Sequence, residues 1–228
     1  MSDWQTVEQL RERVARKAAD AKAAPGPYLT ISRQYGCSGM TLAILLAEIL
    51  NDEAPSGQTW KVYGREVLEM LARETRLAAD MVEDLRSREP RLMEDLFRSM
   101  FSKNVPTGFS IRNRIMAILR GLAFEGHVIL VGQGSAGATD GIENGLNFRL
   151  EAPLPWRVQE ICKRRGCAPS EAKRTMDKRE KQRVYLRKIY AMRYPRRPAF
   201  EIVYDNSRFS LGELVRHIIC MMRMRKFI

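Results

Sequence analysis

The segment that most constrains this chain runs from Tyr28 to Leu50. Tyr28-Leu-Thr-Ile-Ser32 is a short β-prone run, Arg33-Gln-Tyr-Gly36-Cys-Ser-Gly39 is a glycine turn, and an apolar helical pattern follows from about Met40. Such a unit sets a helix N-terminus at the carboxyl end of a strand, the arrangement that binds phosphate in α/β proteins. Gly36 and Gly39 let the backbone turn its N–H groups inward, Ser38 and Thr41 add hydroxyls, and the helix dipole favours an anion. Taken alone, the segment reads equally well as a structural strand-to-helix turn. It is not Gly-x-x-x-x-Gly-Lys-[Ser/Thr], because the turn holds no lysine.

The remainder alternates strand and helix. Strands are predicted at Thr59 to Tyr63, at His127-Val-Ile-Leu-Val131, at Asn147-Phe-Arg-Leu-Glu151 and at Glu201-Ile-Val-Tyr204. Helical patterns fill roughly 65–103, 110–125, two stretches between Leu154 and Tyr194, and Leu211 to Met222. Strands separated by helices predict an α/β fold, a parallel sheet with helices on both faces. Trp4, Val7, Leu10 and Val14 recur at helical spacing before Ala-Ala-Pro-Gly-Pro at 23–27. Residues 1–24 therefore read as a helical appendage, with 25–228 as the α/β domain. The appendage is a candidate surface for a homodimer.

Charge sharpens this reading. The chain carries 39 Lys and Arg against 27 Asp and Glu, a formal net charge of +12. Such an excess calls for an anionic partner: nucleic acid, phosphate esters or an anionic membrane surface. Between Lys163 and Arg197 lie 14 basic and three acidic residues, while everything else is close to neutral. A polyanion-coating surface would spread its charge, so a concentrated segment argues against nucleic acid and for a few phosphates. The longest apolar stretch, Leu42 to Ala47, stops at Glu48, far short of a membrane span. Met1 to Lys22 is charged throughout and does not read as a secretory signal. Cys37, Cys162, Cys167 and Cys220 form no Cys-x-x-Cys, which disfavours a structural zinc site and leaves a reducing cytoplasm as the expected compartment.

Four stretches, in order, carry a resemblance. They are Thr30-Ile-Ser-Arg-Gln-Tyr-Gly-Cys-Ser-Gly39, then Val62-Tyr-Gly-Arg-Glu-Val-Leu68, then Val128-Ile-Leu-Val-Gly-Gln-Gly134 with Phe148-Arg-Leu-Glu-Ala-Pro-Leu-Pro-Trp-Arg157, and finally Asp177-Lys-Arg-Glu-Lys-Gln-Arg183 with Phe200-Glu-Ile-Val-Tyr-Asp-Asn-Ser207. Together they resemble the cytidylate-kinase-like branch of the P-loop nucleoside monophosphate kinases, over about 28–222. The resemblance implies a core that binds the donor triphosphate, a helical acceptor-binding insertion over 64–108 and a basic lid over 163–197. The implied reaction passes the γ-phosphoryl group of ATP, with Mg²⁺, to CMP or a similar nucleoside monophosphate.

Phosphoryl transfer asks for positioning, cations around the moving group and exclusion of water. Arg179, Arg183 and Arg187 are four apart and share one helix face, a self-repelling stripe that an anion relieves. Its plain alternative is a solvated basic face. Arg33, Arg179 and Arg183 are the candidate catalytic cations. Gly36, Cys37, Ser38, Gly39, Met40 and Thr41 are the candidate donor-phosphate contacts, with Thr41 also facing the metal. Arg65, Arg112, Gln133, Asp177 and Arg187 are candidates for the acceptor, each with an ordinary surface role as its alternative. Arg164, Asp205 and Asn206 are candidates for the border of the donor base.

The turn also departs from the pattern. Gly39-Met40 stands where ordinary P-loop kinases carry lysine, Gly132-Gln133-Gly134 where the family has Gly-Arg-Gly, and Gly64-Arg65 where an Asp-Arg pair is common. Arg33 sits early enough in the turn to return part of that charge. These neutral positions motivate an alternative, a nucleotide-binding regulatory protein of the same fold without turnover. Cys37 lies where a helix N-terminus lowers a thiol's pKa and so suggests a redox-sensitive group. The simpler reading is a small residue that suits a tight turn.

Overall fold

A computed structural model describes residues 25–53, 58–65, 107–193 and 200–228. The appendage expected over 1–24 and all but the ends of the insertion expected over 64–108 lie outside the described residues. Five strands form one all-parallel sheet: β1 (Tyr28–Arg33), β2 (Lys61–Tyr63), β3 (Val128–Val131), β4 (Gly145–Glu151) and β5 (Ile202–Asp205). Their spatial order is β2-β3-β1-β4-β5, so β1 is central. The described helices are α1 (Gly39–Glu53), α2 (Thr107–Glu125), the single turn α3 (Ser135–Ala138), α4 (Leu154–Arg165), α5 (Pro169–Arg193) and α6 (Leu211–Met224).

The sheet is buried on both faces, as parallel sheets must be. Leu29 and Ile31 of β1, Ile129 and Val131 of β3, and Leu146, Phe148 and Leu150 of β4 share one apolar cluster with α1 and α6. In α1 the buried positions are Leu42, Ala43, Leu46, Ala47 and Leu50, a stripe at helical spacing. Leu214, Val215, Ile218, Ile219 and Met222 form the matching stripe of α6. Each fully buried Leu, Ile or Phe in this layer contributes roughly 1.5–3 kcal/mol. The alternate residues Tyr28 and Thr30 point to the opposite face, where α3 packs on β1 and α2 on β3.

Local signals explain the helix ends nearest the site. Pro153 precedes α4, and Gly166 closes it in the left-handed conformation with its N–H donating to the Cys162 carbonyl at 2.8 Å. Helix α5 follows at once, so the basic segment is the end of α4 plus α5. Ser210 and Glu213 form a reciprocal capping box that starts α6. Every strand meeting the site therefore ends on the same edge of the sheet, and β1 delivers its turn to the middle of that edge.

Candidate phosphate-binding site

The turn after β1 is held by backbone first. The Gln34 N–H donates to the Leu150 carbonyl at 2.9 Å, and its side-chain Oε1 accepts from the Ala152 N–H at 3.0 Å. The chain then folds back, with the Cys37 N–H donating to the Gln34 carbonyl at 3.2 Å. The first helical bond of α1 runs from the Leu42 N–H to the Ser38 carbonyl, at 2.9 Å. Gly39, Met40 and Thr41 thus lie in the first turn of a 15-residue helix, where N–H groups have no intrahelical acceptor.

Arg33 crosses this site. Its Cγ and Cδ would lie 3.2 and 3.1 Å from a Cβ at Gly39, and a Cβ at Gly132 would overlap its Nη1. The side chain therefore spans from the glycine turn to the end of β3, and glycine at 132 is what makes room for it. Gly132, Gln133 and Gly134 are left-handed in succession, with φ of 74°, 56° and 76°. A non-glycine residue in that conformation costs about 1 kcal/mol, and such strain concentrates at ligand sites. Met40, of the Gly39-Met40 pair that opens α1, packs against the apolar cluster under that helix.

Four more charged side chains converge on the turn. Arg183 donates to the Arg33 carbonyl at 2.6 Å, and Arg157 to the Tyr35 carbonyl at 3.2 Å and the Ala152 carbonyl at 2.8 Å. Arg164 donates to the Gly36 carbonyl, and Glu180 accepts from the Tyr35 N–H. Tyr35 is the apolar anchor of this docking. Its ring packs against Val158, Ile161, Ala172 and Met176 between α4 and α5, with the Arg183 guanidinium 5.5 Å from the ring centroid. Burial pulls the Arg183 guanidinium below its usual pKa, and Glu180, 3.7 Å away, works in the other direction.

The candidate residues fall into groups. Arg33, Gly36, Cys37, Ser38, Gly39, Gly132 and Gln133 meet at the carboxyl edge of β1 and β3. Thr41 is exposed in the first turn of α1. Asn206 is buried, and its Oδ1 accepts from the Ser38 N–H at 2.9 Å, so β5 also secures the turn. Asp205 is spent locally: its Oδ1 accepts from the Ser207 N–H at 2.9 Å and hydroxyl at 2.6 Å, which holds its carboxyl below the usual range. Asp177 is exposed and Arg179 half-buried on α5, and Arg65 is exposed just after β2. The side chains of Arg112 and Arg187 lie outside the described residues.

Sequence reasoning missed Arg157, Tyr35 and Glu180. Arg157 closes a quoted motif, but nothing in its spacing says that it reaches back to the turn. Glu180 had a signal, as one of only three acidic residues in the basic segment.

Cys37 settles in favour of the simpler reading. It is buried, and burial pushes its thiol up to about 11 despite the nearby Arg157 and Arg183. The thiol is a fitted small residue. Among the described residues no group of three or more His, Cys, Asp or Glu is placed to hold a metal ion, and no helix is long and apolar enough to cross a membrane.

A family model described as the cytidylate kinase-like family matches residues 28–208. An uncharacterized protein from Eubacterium ventriosum has a similar structure, with a TM-score of 0.65 at 19% identity over 87% of this chain and 98% of that one. A protein from Thermus thermophilus aligns with a TM-score of 0.43 at 15% identity, over 87% of this chain and 98% of that one. No curated protein matches the sequence.

Proposed function

The chain belongs to the cytidylate kinase-like family, and on that premise we propose that it transfers the γ-phosphoryl group of ATP to a nucleoside monophosphate. The observation that carries this reading is the path of Arg33. Its guanidinium lies against Gly132, across the mouth between the glycine turn and the end of β3. A cation there supplies what Met40 does not, a fixed positive charge beside the phosphate chain. The N–H groups of Gly39, Met40 and Thr41 at the start of α1 bind the donor phosphates. The exposed Thr41 hydroxyl would offer one neutral oxygen ligand to a Mg²⁺ ion carried by the triphosphate, which would neutralise charge on the phosphates. Arg179 and Arg183 on α5 bring further cations to the transferred group. Gln133, held left-handed beside Arg33, faces the acceptor, together with Arg65.

A second reading has its own support. Met40 packs against the apolar cluster, so this position of the turn offers no cation to a phosphate. A protein of this kind binds nucleotide without turning it over. ADP release from Mg-ATP with a panel of nucleoside monophosphates separates the two. Acceptor-dependent ADP formation is expected. Calorimetric binding of Mg-ATP with no ADP from any acceptor would replace the kinase with the regulatory reading.

A further inference from the structure

An anion site in an α/β turn is a set of backbone N–H groups converging on one point. One of those donors is already engaged. The Tyr35 N–H donates to Oε1 of Glu180, which comes from α5, 145 positions further along the chain. The same carboxylate lies 3.7 Å from Nη1 of Arg183, and that guanidinium donates to the Arg33 carbonyl at 2.6 Å. Glu180 and Arg183 are three residues apart on one helix, so they meet the turn side by side.

A carboxylate oxygen on a backbone N–H is the same kind of interaction that a phosphate oxygen makes there. The basic segment has 14 cationic residues and three acidic ones, and one of those three sits on the turn. Asp177 and Glu171, on the same helix, are exposed. The loop carbonyls take guanidinium donors from Arg157, Arg164 and Arg183, so α4 and α5 grip the turn through both polarities of its backbone.

We propose that Glu180 is a resident anion of the glycine turn, which latches α5 onto the loop and competes with the phosphate of an incoming nucleotide. The proposal rests on the nucleotide-binding reading above. A phosphate entering the turn takes the Tyr35 N–H and repels the carboxylate. Expulsion of the Glu180 carboxylate frees Arg183 from its acidic partner while the guanidinium stays at the Arg33 carbonyl, so the cation becomes available to the phosphate that displaced the latch. Nucleotide affinity is then reduced by the fraction of molecules in which the latch is open.

Calorimetric titration of full-length protein with Mg-ATP tests this, using Glu180→Ala, Glu180→Gln and the control Glu171→Gln. Glu171→Gln removes the same charge from α5 at an exposed position, so it reports the general electrostatic gain. Glu180→Ala is expected to tighten Mg-ATP binding by about tenfold, as for a latch closed in about nine molecules of ten. Glu180→Gln keeps a neutral acceptor of about half the strength and should fall between. Glu171→Gln should stay within about twofold of the parent. Unchanged or weaker binding by Glu180→Ala, with the parent binding normally, overturns the latch and leaves the nucleotide reading standing. Absence of binding by both parent and Glu180→Ala overturns both. Hydrogen exchange without nucleotide adds an independent readout: the Tyr35 amide should exchange at least about tenfold faster in Glu180→Ala. An unchanged rate at that amide in a folded variant also overturns the proposal.

Discussion

At the amino end of β1 most closing bonds run from main chain to main chain, whereas at the carboxyl end charged and amide side chains from three further places in the chain are added to the backbone bonds of the turn. At the amino end the Gly26 N–H donates to the Phe124 carbonyl at 3.2 Å, the His127 N–H to the Pro27 carbonyl at 2.6 Å, and the Tyr28 N–H to the Asn144 carbonyl at 3.0 Å. The buried Tyr28 hydroxyl lies 3.2 and 3.0 Å from the carbonyl oxygens of Thr139 and Ile142. At the carboxyl end the corresponding contacts come from Arg157 and Arg164 of α4, Glu180 and Arg183 of α5, and Asn206 after β5. Backbone packing of the first kind cannot be exchanged without unfolding. Charged side chains can change partner when an anion arrives, because one charge-assisted hydrogen bond replaces another. The same strand is thus anchored at one end and adaptable at the other.

The largest effect should come from breaking the anchored end. Gly126 has φ 78°, and a Cβ there would strike the backbone of Gly26. Gly126→Ala is expected to cost about 4 kcal/mol or more in urea unfolding. Next is the adaptable end. Arg33→Met should lower the phosphotransfer rate by about 10²–10³, the loss typical of one preorganised charge or donor. Its urea midpoint should move little. A variant that loses stability but not rate would erase the distinction between the two ends.

Tyr28→Phe sharpens the anchored end more gently. It leaves two buried carbonyls without their hydroxyl, at a cost of about 1–3 kcal/mol, and should not change Mg-ATP affinity. Burial raises the Tyr28 pKa from 10.0 to about 12. Its contribution is therefore complete below pH 10 and lost as pH rises towards 12. Urea melts across that window should show a downward slope that Tyr28→Phe removes in part.

The smallest effect concerns Cys37. With its thiol raised from 9.0 to about 11, its stabilising contribution is complete below pH 9 and lost towards pH 11. Iodoacetamide at pH 8 should label the buried Cys37 more slowly than the exposed Cys220, since burial both limits access and keeps the Cys37 thiol protonated. Equal labelling of the two would show a turn that opens freely.

Much of the fold was legible because each strand carries its own signal. The continuous Val128-Ile-Leu-Val131 run announced a strand buried on both faces, and Gly126 marked the end of the preceding helix. The strand predicted from Tyr28 extends one residue further to Arg33, and that predicted from Asn147 starts earlier, at Gly145. Gly145 carries no strand propensity of its own. It is drawn into the ladder opposite Tyr28, whose ring lies where a Cβ would go. The single turn α3 gave no periodic signal at four residues.

The candidate site was legible only in part. The turn, its glycines and the place of Arg33 just before it follow from local order. The shared face of Arg179 and Arg183 follows from helical spacing. What helical spacing does not convey is which backbone atoms that face meets. Arg164 and Arg183 reach carbonyls 128 and 150 positions away, and Asn206 reaches an N–H 168 positions away. Such contacts depend on the sheet bringing β1, β4 and β5 side by side, which no local pattern encodes. Cys37 shows the same limit: its place at a helix N-terminus is visible in the sequence, while the burial that overrides it is not.

Hydrogen exchange of the full chain with and without Mg-ATP tests the central claim, that the carboxyl end of β1 is the phosphate end. The account predicts new protection at the amides of Gly39, Met40 and Thr41 in the first turn of α1, with none at Gly26 to Tyr28. Protection absent from the glycine turn, or confined to the outer face of α5, would contradict it.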